Sequence, residues 1–536
     1  MASALHFMKF MKDRPAFLTF LLVALLIVSL CLAFDPRWQT NDDVTMSMAA
    51  HGYGLAAYET PHLIFSNVLW GYLVRAIPSI NGVLGYSLAS MTVLLVGGWA
   101  MLYFLIRLGA GYFLGMLAVG LVLLRPTLFP QFSVNAGLLT VAAVIGWQVH
   151  ARQGRLSSLV IACLLAFSGF LIRDKEFLLV LGVALPLLPW RALREQRQMQ
   201  IAFLLLGIAI ASAAVFDRWS YSGPEWQQQM ELTKSLSKII DFGAGKHLKQ
   251  HPEILARHGY SQNDIDLVND WFFVDPQIAD PKSLNAMLAE LGPLPMQEGS
   301  VKSGFLAIKA LFDLTLLPLF LSGLLLLVLV PRKPLALAWV SCIAALFAIG
   351  LMGRPSAIYI FIPLLSLLIV APLASGKYTE KSRQGLATLT LLLACIGQAY
   401  LLMPAALAYK QWAQQVQKDA QGLPTGSTIV SWGKGFPIEL TFPVFANDTN
   451  LRKIRLYGLN GVTYAPHSVA STEVAAGRGM LEGLQSPTGI SIMASQKQLE
   501  MLRIYCLERL NGQLLGKITY QTSWLFVQQV RCVKVQ

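Results

Sequence analysis

The sequence predicts an all-α polytopic membrane protein of about eleven transmembrane helices, with a helical loop and a small C-terminal α/β or α+β domain outside the bilayer. Three observations predict it. Of the 536 residues, 55% are hydrophobic and 13% charged, whereas an ordinary soluble domain carries roughly 25% charged residues. The apolar residues gather into runs close to the roughly 20 helical residues that cross a hydrocarbon layer about 30 Å thick. Basic residues fall unevenly on the links between those runs, as they do in membrane proteins with one defined orientation.

The expected spans cover residues 16–34, 83–106, 112–124, 132–149, 156–172, 177–190 and 200–216, then 305–330, 335–352, 357–374 and 386–405. The third and sixth are short. Lys9, Lys12 and Arg14 precede the first run, as they would in a secretory signal. The run is too long for such a signal and no small-x-small cleavage site follows it, so it is expected to remain as the first helix. With the N-terminus in the cytoplasm, fourteen Lys and Arg between Lys9 and Arg383 fall inside, against six in the opposite short links. That bias accounts for much of the formal charge of +13 and leaves no need for a nucleic-acid partner. It places the stretch 217–304 and the tail 409–536 outside, in what is expected to be a bacterial inner membrane. The domains are then a transmembrane unit over 1–408, including an outer loop at 35–82 and the helical loop at 217–304, and an extracytoplasmic unit over 409–536.

The helical loop has 3.6-residue periodicity, and Ser261 followed by Asp264 opens one segment as a capping box would. In the tail, "GSTIVSWGKGFPIEL" reads as a strand and turn, and "GISIMAS", "KQLEMLRIYCLERL", "GQLLGKITYQT" and "WLFVQQVRCVKV" read as strand, helix, strand and strand. Cys31, Cys163, Cys342 and Cys395 lie in apolar spans, where a thiol behaves as a small hydrophobe. Cys506 and Cys532 lie in the outer unit, where an oxidising compartment permits a disulfide; two unpaired core thiols are the alternative.

Chemistry is most concentrated just after the first span, in "FDPRWQTNDDVTMSMAAHGYG". Asp42 and Asp43 stand side by side there, with Asp35 upstream. A carboxylate at that position can take a proton from an attacking hydroxyl or bind a divalent cation. The competing reading is a pair of solvated loop acids, or a cap for the helix that follows. His51 and His62 flank Tyr53 but lack the spacing of a complete zinc site, and interfacial packing accounts for both. Trp38, Trp70 and Tyr58 are aromatics of the kind found at membrane interfaces in any case.

The same segment runs into the amphipathic "ETPHLIFSNVLWGYLVRAIPSI", and "RPTLFPQFSVNAGLL", "LIRDKEFLLVLGVALPLLP" and "YSQNDIDLVNDWFFVD" follow. Early outer acids, interfacial helices and many spans together resemble the polyprenyl-phosphate-sugar-dependent glycosyltransferases of the GT-C superfamily, in a bacterial multipass branch. The family's hallmark is an acidic residue in the first extracytoplasmic loop, a pattern that falls here on Asp42 and Asp43. The resemblance implies transfer of a sugar from a polyprenyl-phosphate donor to a glycan or lipid acceptor, with membrane lipid as the other partner. No cofactor is required, and a divalent metal is compatible with it. It further implies cations for the donor phosphate, for which Arg125, Arg173 and Arg354 stand at outer span ends, and substrate contacts from His51, Tyr53, Trp38 and Glu176. Each Arg has a plainer role open to it, snorkelling or local pairing, as between Arg173 and its neighbours Asp174 and Glu176. Two other functions compete. A transporter or flippase for a lipid-linked glycan would favour inverted repeats, which are not evident; a non-catalytic envelope scaffold would need no acid at all.

Overall fold

The computed structural model describes residues 15–240, 243–292, 301–352, 358–375, 381–424 and 426–534. Six of its helices are long and apolar enough to cross a membrane: Pro15–Phe34, Gly85–Arg107, Phe132–Gln153, Arg197–Ser220, Lys333–Leu351 and Ser382–Ala420. A pair bent by 88°, Val301–Phe312 and Leu317–Leu329, makes a seventh if it counts as one span. This architecture is compatible with a polytopic membrane protein, but the count corrects the expected eleven. Tyr112–Leu128, Leu156–Ile172 and Ile358–Ala374 are apolar but have only 17 residues each, about 25 Å at 1.5 Å per residue. The expected sixth span breaks into Asp174–Ala184 and a 3₁₀ turn, Leu185–Leu187, with Pro186 inside it, because proline supplies no N–H to continue the ladder.

Packing separates helices that face the surroundings from helices that do not. Leu25, Val28 and Leu32 on the first helix and Leu204, Leu205 and Ile208 on Arg197–Ser220 are exposed, a large apolar surface that lipid satisfies and water does not. Phe132–Gln153 is buried along almost its whole length and forms the axis of the bundle. Gly146 lets its neighbours close on it: a Cβ there would lie 2.7 Å from Phe104 and 2.8 Å from Ala162.

The bundle has two chemically distinct ends. At one end, Arg107 donates to Gln153 (3.2 Å), Arg152 to the Ala374 carbonyl (2.8 Å) and Gln196 to the Ala151 carbonyl (3.3 Å). At the other end sit the loop helices and the C-terminal unit. The loop helices Pro224–Ile240, Pro252–Arg257, Gln262–Asn269 and Pro281–Leu291 include the expected capping box between Ser261 and Asp264. They share one core with the C-terminal unit, where Leu267, Phe272 and Phe273 meet Val430, Trp432 and Tyr505. Polar ties cross the same boundary: Tyr505 donates to Asp275 (2.8 Å), Asn263 to the Met501 carbonyl (3.1 Å), and Arg509 pairs with the buried Asp264. Loop and tail are therefore packed together at this end of the bundle.

The C-terminal unit carries a five-stranded mixed sheet in the order β2-β1-β3-β5-β4. β1 (Thr428–Trp432) runs parallel to β2 (Arg455–Leu459) and β3 (Ile490–Met493), while β5 (Phe526–Lys534) is antiparallel to β3 and to β4 (Gly512–Gln521). Four strands and the helix Gln496–Leu510 match the expected ones; β2 was not expected. Cys506 and Cys532 form a disulfide, with Cα atoms 5.7 Å apart, that fastens this helix to β5.

The first loop is locked onto this unit through its backbone. Leu456 donates to the Gly54 carbonyl (2.9 Å), Val469 to Leu55 (2.9 Å), and Ala57 to His467 (2.8 Å). Two histidines sit in this contact region without room for charge. Burial, reinforced by Arg452, pulls His51 down to about 4, and burial with the charge of His62 does the same to His467. Unfolded, both titrate near 6.5. The unfolded chain then holds more protons between those values, so the neutral histidines contribute stability above pH 6.5 that is lost as pH falls toward 4. Thermal unfolding of the purified protein should show a fall in melting temperature across that window, and a His51→Gln, His467→Gln double variant should show a shallower one. An equally steep fall in the double variant would remove the histidines as its cause.

Candidate functional site

Asp43 is wholly buried at the start of the helix Asn41–His51. Its Oδ1 accepts from the Tyr86 hydroxyl (3.0 Å) and the Phe132 backbone N–H (3.1 Å), and its Oδ2 from the Thr40 hydroxyl (3.2 Å). Burial pushes its pKa well above the ordinary carboxylate range, and these donors pull it back. The Phe132 amide opens the axial helix, so the acid also meets the positive end of that helix's dipole. Asp43 is thus an internal pin between the first loop and two core helices, and its carboxylate is not open to a substrate.

Successive helical residues point about 100° apart, and Asp42 accordingly faces elsewhere. It lines a cavity of about 260 Å³ between the bundle and the units above it. Phe65, Phe132, Arg173 and Tyr359 also line it, with Gln131 and Ser133 beside them. Arg173 caps the link between Leu156–Ile172 and Asp174–Ala184. Its Nη1 donates to the Phe65 carbonyl (3.0 Å), and its guanidinium lies 5.5 Å from the Phe65 ring and 5.4 Å from the Phe132 ring. Those rings stack on one another at 5.9 Å, so the cation is held by π faces. Burial lowers the pKa of Arg173, and the charges of Asp174 and then Asp42 act against that lowering.

The far wall comes from the amphipathic helix Pro224–Ile240, through Leu232, Thr233 and Leu236, and from Trp271, Phe273 and the turn Asn460–Tyr464. Gln229 fastens helix to turn by donating to the Gly461 carbonyl (2.7 Å), and Tyr464 donates to the Phe273 carbonyl. Trp271 holds a φ of 68°. A bulky side chain in that region costs of order 1–3 kcal/mol and persists only where its surroundings impose it, often at a binding site. The cavity thus combines an acid, a cation, amide and hydroxyl groups, and two large aromatic faces. Among the described residues no three His, Cys, Asp or Glu side chains converge as a metal set.

Several expected site residues lie elsewhere. Arg125 donates to Gln39 (3.1 Å) beside the Phe129 ring and does not line the cavity. Trp38 packs on Tyr86 at 5.4 Å, His51 accepts from the Tyr86 backbone N–H (3.1 Å), and the Tyr53 hydroxyl donates to Ser47 (3.1 Å). None of the three lines the cavity; these contacts lie within the first loop and against Tyr86. Glu176 is buried one helical turn from Arg173, and its Oε1 has no hydrogen-bond partner among the described residues. Arg354 falls outside the described residues. Missed by the sequence reading were Gln131, Tyr359, Asn460, Tyr464 and the aromatic pair of "NDWFFVD", where only the clustering of Trp271 with Phe273 was a visible signal.

No protein-family model matches the chain, and no curated protein sequence matches it.

The pin role of Asp43 has a direct consequence. Tyr86→Phe removes one hydrogen bond to a buried acid and should cost about 1.5–3 kcal/mol of stability, the range for bonds to charged groups. Chemical unfolding in detergent measures it. A cost below about 0.5 kcal/mol, ordinary for an unimportant site, would show that the Tyr86 bond does not hold the loop.

Proposed function

We propose that this chain is a GT-C-type glycosyltransferase that moves a sugar from a polyprenyl-phosphate donor to a glycan or lipid acceptor outside a bacterial inner membrane. The observation that carries the reading is that Asp42 and Arg173 line one cavity at the bundle's end. Transfer needs a base, an acceptor and a donor phosphate within reach of one carbon. The orientation draws support from the basic residues at the opposite end and from the Cys506–Cys532 disulfide, since such bonds persist in oxidising compartments.

In this reaction the acceptor hydroxyl lies against Asp42. Its proton passes to the Asp42 carboxylate as its oxygen bonds to the anomeric carbon. The bond from that carbon to the phosphate oxygen breaks, and the electron pair leaves with the polyprenyl phosphate, whose charge Arg173 meets. A single displacement of this kind inverts the anomeric centre. Trp271 and Phe273 offer apolar faces to the sugar ring, and Asn460 and Gln131 offer amides to its hydroxyls. Asp43 takes no proton in this scheme; it fixes the helix that aims Asp42.

Asp42→Asn preserves size and cannot take the proton. Transfer in purified membranes should fall by roughly 10² or more, as for loss of a general base, while folding and donor binding stay close to the parent's. Transfer at the parent rate in this variant would sink the reading and leave transport or scaffolding as the function to test.

A further inference from the structure

At the basic end, a second cavity of about 280 Å³ opens between the end of Phe132–Gln153, the start of Lys333–Leu351 and the end of Ile358–Ala374. Two cations line it, Arg152 and Arg332, and no carboxylate is among its described lining residues. Arg152 and Arg332 thus bring two positive charges to the lining of one cavity. Like charges across one partly enclosed space repel by more than they would in water, a cost that an anion between them turns into a gain.

The guanidinium of Arg152 is only partly engaged. Its Nη1 donates to the Ala374 carbonyl (2.8 Å), its one hydrogen bond among the described residues, and a guanidinium has five N–H donors. Ser375 adds a hydroxyl to the lining, and Gln148 an amide that donates to the Leu187 carbonyl (3.0 Å). The rest of the wall is apolar, formed by Pro186, Leu187, Leu188, Pro189, Pro334 and Leu335. A forked pair of cations beside a proline and leucine wall fits an amphiphile better than a free ion, because each part of the ligand meets its own kind of surface.

We propose that this cavity binds the phosphate of an anionic membrane lipid between Arg152 and Arg332, with the apolar part of the lipid against the proline and leucine wall. It stands at the end opposite the Asp42 cavity, and lipid binding there does not depend on the reaction proposed at Asp42. The site takes a phosphodiester monoanion, with one of its two non-bridging oxygens toward each guanidinium, and links the three helices that meet around it.

Native mass spectrometry of the full purified chain in neutral detergent tests this with phosphatidylglycerol and phosphatidylcholine of matched acyl chains. The parent should retain phosphatidylglycerol about tenfold or more tightly than phosphatidylcholine, the factor that one charge-assisted bond supplies. Arg332→Gln should abolish most of that preference. Arg152 also bonds the Ala374 carbonyl, so Arg152→Gln is read beside Arg152→Lys, which keeps the charge and should keep part of the preference. Equal retention of the two lipids by the parent, or an unchanged preference in Arg332→Gln, overturns the proposal. So does a rise in melting temperature with inorganic phosphate as large as that with phosphatidylglycerol, since the lipid would then add nothing.

Discussion

A single buried carboxylate organises the site end of this protein. Asp43 gathers a tyrosine hydroxyl from the helix Gly85–Arg107, the first amide of the axial helix Phe132–Gln153, and the Thr40 hydroxyl that precedes its own helix. An unpaired carboxylate in such a place would cost several kcal/mol, so these donors and the acid require one another. The bundle and the first loop have, through this group, one relative position. Asp42 inherits its direction from that position, and Phe132, held by the same acid, stacks on Phe65 and supports the guanidinium of Arg173. The two groups that oppose each other in the cavity are thus set by a neighbour that does not enter it.

The cavity's other wall is built from parts of the chain far apart in sequence. The helix Pro224–Ile240, the segment around Trp271 and the turn after β2 meet there, and each is fastened to another by backbone carbonyls. The first loop joins them as an addition to the edge of the sheet, with Gly54 alongside Arg455 in β2. Such an assembly costs little in strain except at Trp271, whose left-handed backbone is over-determined by the shared core beneath it. Positions that packing sets in these walls do not have to be set again by a ligand that enters between them.

The two ends of the bundle differ in how they manage charge. At the sheet-bearing end, acids and cations are matched within short reach, as with Asp264 and Arg509, or Glu473 with Arg455 and Arg478. At the opposite end, Arg152 and Arg332 line one cavity, and no carboxylate is among its described lining residues. Matched charges stabilise a folded unit in water, whereas two cations in one cavity favour an anion between them.

Much of this protein was legible in the sequence. Composition and apolar runs sufficed for the helical, membrane-compatible class; periodicity and caps located the loop helices, the Ser261–Asp264 box and four of the five strands; and the pair Cys506–Cys532 was visible as a disulfide. These are local properties, in which neighbours within a few residues decide the outcome. The number of long spans was not legible, because a run of apolar residues does not show where a helix bends or stops short, as it does at Leu185–Leu187 and between Phe312 and Leu317. Nor was the division of labour between Asp42 and Asp43, or the placement of Trp38, His51, Tyr53 and Arg125 outside the cavity. Adjacent residues carry the same chemistry in a sequence, and only the partners that tertiary packing brings from 40 to 90 residues away, Tyr86 and Phe132, decide which carboxylate is buried and which faces the cavity.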